Sequence, residues 1–157
     1  MNIELIVVGK TDMKEVEALV AMYTKRLNHY VKFAITTLAD VRNTKNLSAA
    51  EQKRMEGEAI LRLVTDSDHL MLLDEHGLEL RSIEFAELMQ RRMSSGVKRL
   101  VYIIGGPYGF SDAVYQRANS KLSLSKMTYS HQLVRAIFTE QLYRAFTILK
   151  NEPYHHE

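Results

Sequence analysis

The residues of this 157-residue chain that can do chemistry gather in its last third. Residues 100–104 (LVYII) are continuously apolar, the pattern of a strand covered on both faces, and lead straight into Gly105, Gly106, Pro107, Tyr108 and Gly109. Glycines at a strand end let the backbone turn sharply and let a ligand lie against exposed N–H groups. A side chain added at Gly105 would fill the space where backbone meets ligand. Further on, residues 122–129 (LSLSKMTY) alternate apolar and polar. His131 and Arg135 stand four apart on one helix face, at an electropositive first turn that suits an anionic or electron-rich partner. Tyr154, His155 and His156 follow Pro153 near the end, and an aromatic with imidazoles can stack on and hydrogen-bond an unpaired base. Each group also has a plainer reading. GGPYG lacks the Gly-Lys-Ser/Thr of a P-loop and the spacing of a dinucleotide fingerprint, so it can be a turn. Residues 122–129 can be an ordinary strand with its exit, His131 and Arg135 a solvated helix start, and the tail a fraying end or cloning remnant.

These groups need elements to hold them. Residues 2–8 (NIELIVV) read as a buried strand ending at Gly9, after which Asp12 can cap a helix with Val16, Leu19, Val20 and Tyr23 inward. Residues 31–38 form a second strand candidate, and 39–47, with Asp40, Arg42 and Lys45, a polar loop that reads as mobile. Ser48 with Glu51 is a capping-box pattern opening a helix to about residue 64 that uses Met55, Ile60, Leu61 and Val64. Residues 69–73 (HLMLL) are a third strand running into a polar turn, Asp74 to Gly77, and Ser82 caps a helix with Phe85, Leu88 and Met89 inward. Ser111 and Asp112 start a short helix over 113–118, 121–125 form a fifth strand, and 131–150 a last helix. On that helix Val134, Ile137, Phe138, Leu142, Ala145, Phe146 and Leu149 make a broad apolar stripe, and Glu140 and Arg144 are spaced for an ion pair. Strands alternating with helices predict one α/β domain over 1–157 with a largely parallel sheet, which binds ligands at the carboxyl ends of its strands. Segments 73–77, 105–109 and 124–129 each follow a strand and are expected to meet there.

Composition narrows the chemistry. The chain has no cysteine, which excludes disulfides, thiolate metal sites and thiol nucleophiles. No ligand spacing of a familiar kind joins His131, His155 and His156, so no metal is expected. No apolar run approaches the roughly 18 residues of a membrane span, and a cytoplasmic protein is expected. A net charge of +2 permits a nucleic-acid partner without announcing one. Lys25, Arg26, Lys53, Arg54, Arg91, Arg92, Lys98 and Arg99 read as solvated faces.

The stretches IELIVVGK (3–10), LLDEHG (72–77), IGGPYGF (103–110), LSLSKMTYSHQLVR (122–135), EQLYRAF (140–146) and NEPYHHE (151–157) span the chain. In that combination the chain resembles the ribosomal-RNA large-subunit methyltransferase H family of the SPOUT superfamily, which N3-methylates a pseudouridine of bacterial 23S rRNA. The resemblance implies an α/β fold with a C-terminal trefoil knot, which periodicity alone would not suggest. It implies S-adenosylmethionine as cofactor, held by Leu73, Gly105, Leu124, Ser125, Lys126, Met127, Thr128 and Tyr129. It also implies a homodimer with the pocket beside the interface, acting on 23S rRNA within the ribosome. Pro107 and Tyr108 fall at variable loop positions, and Ser130 stands where some members have proline. Methyl transfer then rests mainly on positioning. Arg135 is expected to stabilise a developing anionic base and to contact RNA, and His131, His155 or solvent to take the proton. Tyr154, His155 and His156 are expected to bind RNA as a tail not needed for packing. The competing reading is a ribosome-binding factor that keeps the fold and transfers nothing.

Overall fold

The computed structural model describes residues 1–42 and 44–157. Five strands form one sheet: β1 (Asn2–Val8), β2 (Lys32–Leu38), β3 (His69–Glu79), β4 (Arg99–Ile104) and β5 (Ser120–Ser123). Their order is β2-β1-β4-β3-β5, and every neighbouring pair is parallel. Helices α1 (Lys14–Leu27), α2 (Ala49–Leu61), α3 (Ser82–Ser94), α4 (Asp112–Arg117) and α5 (Leu133–Leu149) connect and cover it. The alternation read from the sequence is therefore the alternation that folds.

The two-residue period of the strands divides their side chains between two cores. Ile3, Leu5 and Val7 of β1 and Leu100, Tyr102 and Ile104 of β4 face α3 and α5, where Phe85, Met89, Phe138, Leu142 and Phe146 close over them. Ile6, Val8, Val101 and Ile103 face the other way, onto Ile60 of α2 and Phe110 and Val114. Central β4 is buried on both sides, which explains its uninterrupted apolar run. Tyr102 is fully buried and its hydroxyl donates to the Met89 sulfur at 3.0 Å. The expected stripe of α5 is present, with Phe138, Leu142, Ala145 and Phe146 all but inaccessible.

Several local expectations change. Helix α1 starts at Lys14 without a side-chain cap, because Met13 and not Asp12 stands at the N-cap; the Asp12 backbone N–H donates to Gln132 Oε1 at 2.9 Å. Leu19 and Met55 point outward, 41% and 38% exposed; the inward face of α2 is instead Glu56, Gly57 and Ile60. Gly57 is there because a Cβ would stand 2.3 Å from the Ser111 hydroxyl, so α2 and the start of α4 touch backbone to cap. Ser48 caps α2 as expected, its Oγ accepting from Glu51 N at 3.1 Å. Of the polar loop 39–47, Thr44–Asn46 form a single 3-10 turn, and Asn43 lies outside the described residues. Arg99 is no solvated cation: it bridges Glu4 and the nearly buried Asp68, at 2.5 Å each.

The largest departure is in β3. The polar turn expected at Asp74 to Gly77 is a bulge inside a longer strand: Leu73 and Leu78 both pair with Leu122, and the residues between are pushed out of register. Gly77 brings the chain back against β5, where a Cβ would lie 2.6 Å from the backbone of Leu122. Backbone cannot yield as a flexible side chain can. Gly77→Ala should therefore destabilise the fold by about 2–3 kcal/mol and lower Tm by roughly 5–10 °C in calorimetry. A variant melting with the parent would mean that the bulge closes differently.

Candidate functional site

The site is built at the carboxyl ends of β3, β4 and β5. The β3 bulge turns Asp74, Glu75 and His76 toward a cleft of about 540 Å³. Asp74 is held on both sides, accepting from His76 N at 2.8 Å and from the Tyr115 hydroxyl of α4. Burial first, and then that bond to Asp74, push the Tyr115 hydroxyl up to about 12, so it stays protonated and donates.

From β4 the chain passes into a tight turn in which Gly109 N donates to Gly106 O at 3.1 Å. Pro107 fits the second position of that turn, and Gly109, at φ +81°, takes a backbone region that L side chains avoid. Gly105 rests on Phe110, whose ring would stand 3.0 Å from a Cβ there. A side chain at this position would thus press on a wall of the cleft before reaching a ligand. Gly106 is tighter still, since its Cβ would come within 2.1 Å of Glu56 Oε1. Glu56 is 5% exposed and, among the described residues, its one side-chain partner is Gln52, at 3.3 Å. Burial raises its pKa above the ordinary carboxylate value and Asp40 adds to this, while the Gln52 bond and nearby His131 oppose it.

The third wall leaves β5 and crosses the sheet edge to β1. Ser125 shapes its start, with its carbonyl accepting from Ser123 Oγ at 3.0 Å and its Oγ from Met127 N at 2.9 Å. Ser130 then caps the turn into α5, its Oγ accepting from Leu133 N at 3.1 Å. Gln132 clamps the β1–α1 connection with both ends of its amide, accepting from Asp12 N at 2.9 Å and donating to Lys10 O at 3.1 Å. Arg135, 3% exposed, donates to Val8 O and Gly9 O at 2.9 Å each, to Thr11 Oγ1 at 2.8 Å and to His131 O at 3.1 Å. Burial lowers its pKa from the ordinary arginine value, with Asp12 and Asp40 acting the other way.

The cleft unites most of the residues expected from sequence: Leu73, Gly105, Leu124, Ser125, Met127, Thr128, Tyr129 and His131 all line it. Lys126 is exposed and outside the lining. Arg135 is a correction: its guanidinium is spent on carbonyls beneath the loop, which leaves it no free face for a base or for RNA, and it acts as a strut. Lys53, read as a solvated charge, lines the cleft from α2. Helical spacing places Lys53 one turn before Glu56 and Gly57, a signal the charge pattern alone hid. Among the described residues no group of three or more acidic or imidazole side chains could hold a metal ion, and no helix is long and apolar enough to cross a membrane.

The tail is a second correction. Helix α5 ends in a Schellman motif: Asn151, at φ 56°, donates to Ile148 O, and Glu152 N donates to Thr147 O at 2.9 Å. The chain therefore doubles back along α5. Tyr154 Oη donates to Glu140 Oε1 at 2.9 Å, its ring meets Tyr143 edge-on at 4.8 Å, and Arg144 lies 4.7 Å from its centroid. His155 Nδ1 is 3.1 Å from Arg144 Nη1, and Glu157 pairs with Arg81. The expected Glu140–Arg144 ion pair forms at 2.6 Å and anchors this cluster. Only His156 of the three expected RNA contacts is exposed rather than half-buried, and none of them lines the cleft of its own chain. Asn151 two residues before Pro153 was the signal for the reversal.

One family and three relatives resemble this chain. A family described as "Predicted SPOUT methyltransferase" matches residues 1–155. A protein of Christiangramia forsetii named ribosomal RNA large subunit methyltransferase H is 60% identical over 156 residues, 99% of each chain. Proteins of the same name from Flavobacterium psychrophilum and Bacteroides thetaiotaomicron are 57% and 50% identical over 157 residues, the full length of both chains.

Two outcomes are expected of these contacts. A raised folded pKa at Glu56 means that its contribution to stability is full below the unfolded carboxyl pKa and is lost as pH rises through the folded value. Glu56→Gln should therefore melt above the parent at neutral pH, the gap closing as pH falls through the carboxylate range; a gap that widens in acid would mean that the ionised carboxylate is favourable. Deleting residues 154–157 should cost about 2 kcal/mol, or roughly 4–8 °C in Tm, because a half-buried aromatic and its partners are lost together. An unchanged Tm would restore the picture of a free tail.

Proposed function

The chain belongs to the SPOUT methyltransferase family, and on that premise we propose that it transfers the methyl group of S-adenosylmethionine to N3 of a pseudouridine in 23S rRNA of the ribosome. The observation that carries this reading is end-to-end identity with relatives whose name states both reaction and substrate class. The cleft suits the cofactor. Its volume lies within the range of roughly 300–1,000 Å³ usual for small-molecule sites. Leu73, Ile104, Leu122, Leu124 and Val134 supply apolar wall, and Gly105 and Gly106 line it with backbone. Leu73, Gly105 and the loop from Leu124 to Tyr129 are the residues proposed to hold it, with Asp74 and Glu75 placed to favour its positive groups.

S-adenosylmethionine supplies an electrophilic methyl carbon on a sulfonium. The protein's part is to orient the acceptor nitrogen and exclude water, which places the burden on the rigidity of the three walls. His131, exposed on the cleft rim, is the proposed acceptor of the imino proton through a ring nitrogen. Arg135 contributes from below by fixing the loop that carries His131, whose carbonyl it holds. Segment 124–132 is proposed to pass through the family's trefoil knot. Its traverse from β5 at one edge to β1 supports this, and tracing the chain in a crystal structure tests it. A homodimer is supported by the apolar side chains that α1 and the start of α5 leave exposed: Met13, Leu19, Met22 and Leu133, at 38–48%. Tyr154, His155 and His156, remote from their own cleft, are then proposed to meet RNA at the partner's.

The purified protein should methylate ribosomes from cells lacking the corresponding gene, without added metal. The product should stop primer extension at one 23S position, because N3 methylation blocks the pairing edge. Ribosome binding with no methyl transfer and no calorimetric signal for S-adenosylmethionine would instead make it a non-enzymatic ribosome factor. Light scattering at micromolar concentration should return about twice the chain mass of 18.1 kDa; a monomeric mass would remove the dimer.

A further inference from the structure

Two apolar side chains at the cleft, Tyr108 and Met127, are more exposed than packing requires, and a lysine, Lys53, joins them in its lining. Tyr108 is 52% exposed, Met127 78%, and Lys53 half-buried, and they come from the glycine turn, the β5–α5 loop and α2 respectively. The backbone that carries Tyr108 is constrained: it sits between Pro107, whose ring fixes its own φ, and Gly109, in a turn closed by the Gly106–Gly109 bridge. The inner positions of the same turn behave differently. Gly105 is half-buried, Gly106 is wedged on Glu56, and Phe110 is 6% exposed. A ligand lying on the inner positions leaves the tyrosine ring at the mouth.

We propose that Tyr108 and Lys53 form an RNA-docking rim: the Tyr108 ring stacks on an unpaired base next to the methyl acceptor, and the Lys53 ammonium takes a neighbouring phosphate. This rests on the rRNA reading above. An aromatic platform beside a cation is the recurrent solution for gripping a splayed single strand, because every base has a stackable face and every link a charge. A tyrosine whose backbone is set by its turn has only two side-chain torsions left to order when a base stacks on it. Met127 across the mouth adds an adaptable apolar contact. A chain of net charge +2 gains more from one placed lysine at the cleft than from its bulk field.

The test compares Tyr108→Ala, Tyr108→Phe and Lys53→Ala with the parent in three measurements: S-adenosylmethionine binding by calorimetry, binding to ribosomal particles by sedimentation, and KM with kcat for methylation. Tyr108→Ala should raise KM and the ribosome dissociation constant about tenfold, with cofactor affinity unchanged and Tyr108→Phe close to the parent. Lys53→Ala should lower the slope of log affinity against log salt by about one. Loss of S-adenosylmethionine affinity in Tyr108→Ala would make the ring a cofactor wall and overturn the proposal, as would unchanged ribosome binding in both alanine variants. The two readings fail separately. A parent that binds ribosomes but transfers no methyl removes the enzymatic reading, while the sedimentation comparison still decides the rim.

Discussion

Two side chains, Gln132 and Arg135, make five hydrogen bonds to the chain between Val8 and Asp12, and the cleft exists because of them. They tie the segment leaving edge strand β5 to the end of β1, beyond the ends of β3 and β4. Without that tie, residues 124–131 would be a loop at one edge rather than a wall facing the glycine turn. The stronger member is buried. A guanidinium held by carbonyl dipoles, with no carboxylate in contact, leaves charge and carbonyls uncompensated if it is lost, so the tie is all-or-none in character. The geometry of the walls is inherited from it.

On that foundation the site is built mainly of backbone. Gly77, Gly105 and Gly106 each occupy a place where a Cβ would meet another group at 3.0 Å or less: the β5 backbone, the Phe110 ring and the Glu56 carboxylate. At Gly105 and Gly106 this close packing leaves backbone, rather than side chain, lining the cleft. Charge is kept to the edges, with Asp74 and Glu75 on one wall and Lys53 on another. Glu56, buried beneath the turn with a weak bond from Gln52, holds its position at the cost of its ionised form.

The C-terminal tail follows the same economy of short-range devices serving long-range placement. A single αL residue, Asn151, reverses the chain onto Glu140, Tyr143 and Arg144, and Tyr30 secures the reversal by donating to Glu152 at 2.7 Å. That bond is the main reason the Tyr30 hydroxyl is pushed up to about 12. The tail is thereby held in a defined place on the surface, outside the lining of its own cleft.

Local pattern by itself determined the order of strands and helices, the split of β1 and β4 between two cores, the capping at Ser48, and the meeting of segments 73–77, 105–109 and 124–129. Each follows from periodicity or turn chemistry acting over a few residues, which a sequence displays directly. Only the tertiary structure decided that the polar stretch after Leu73 is a bulge and not a turn, that Lys53 faces the cleft, that Glu56 underlies Gly106, and that Tyr154 packs. It also decided the role of Arg135, whose spacing from His131 suggested a free cation on a helix face. Two of its carbonyl partners lie 126 and 127 residues earlier in the chain. Spacing within a helix fixes which way a side chain points, whereas the groups it meets depend on which distant segment is packed there.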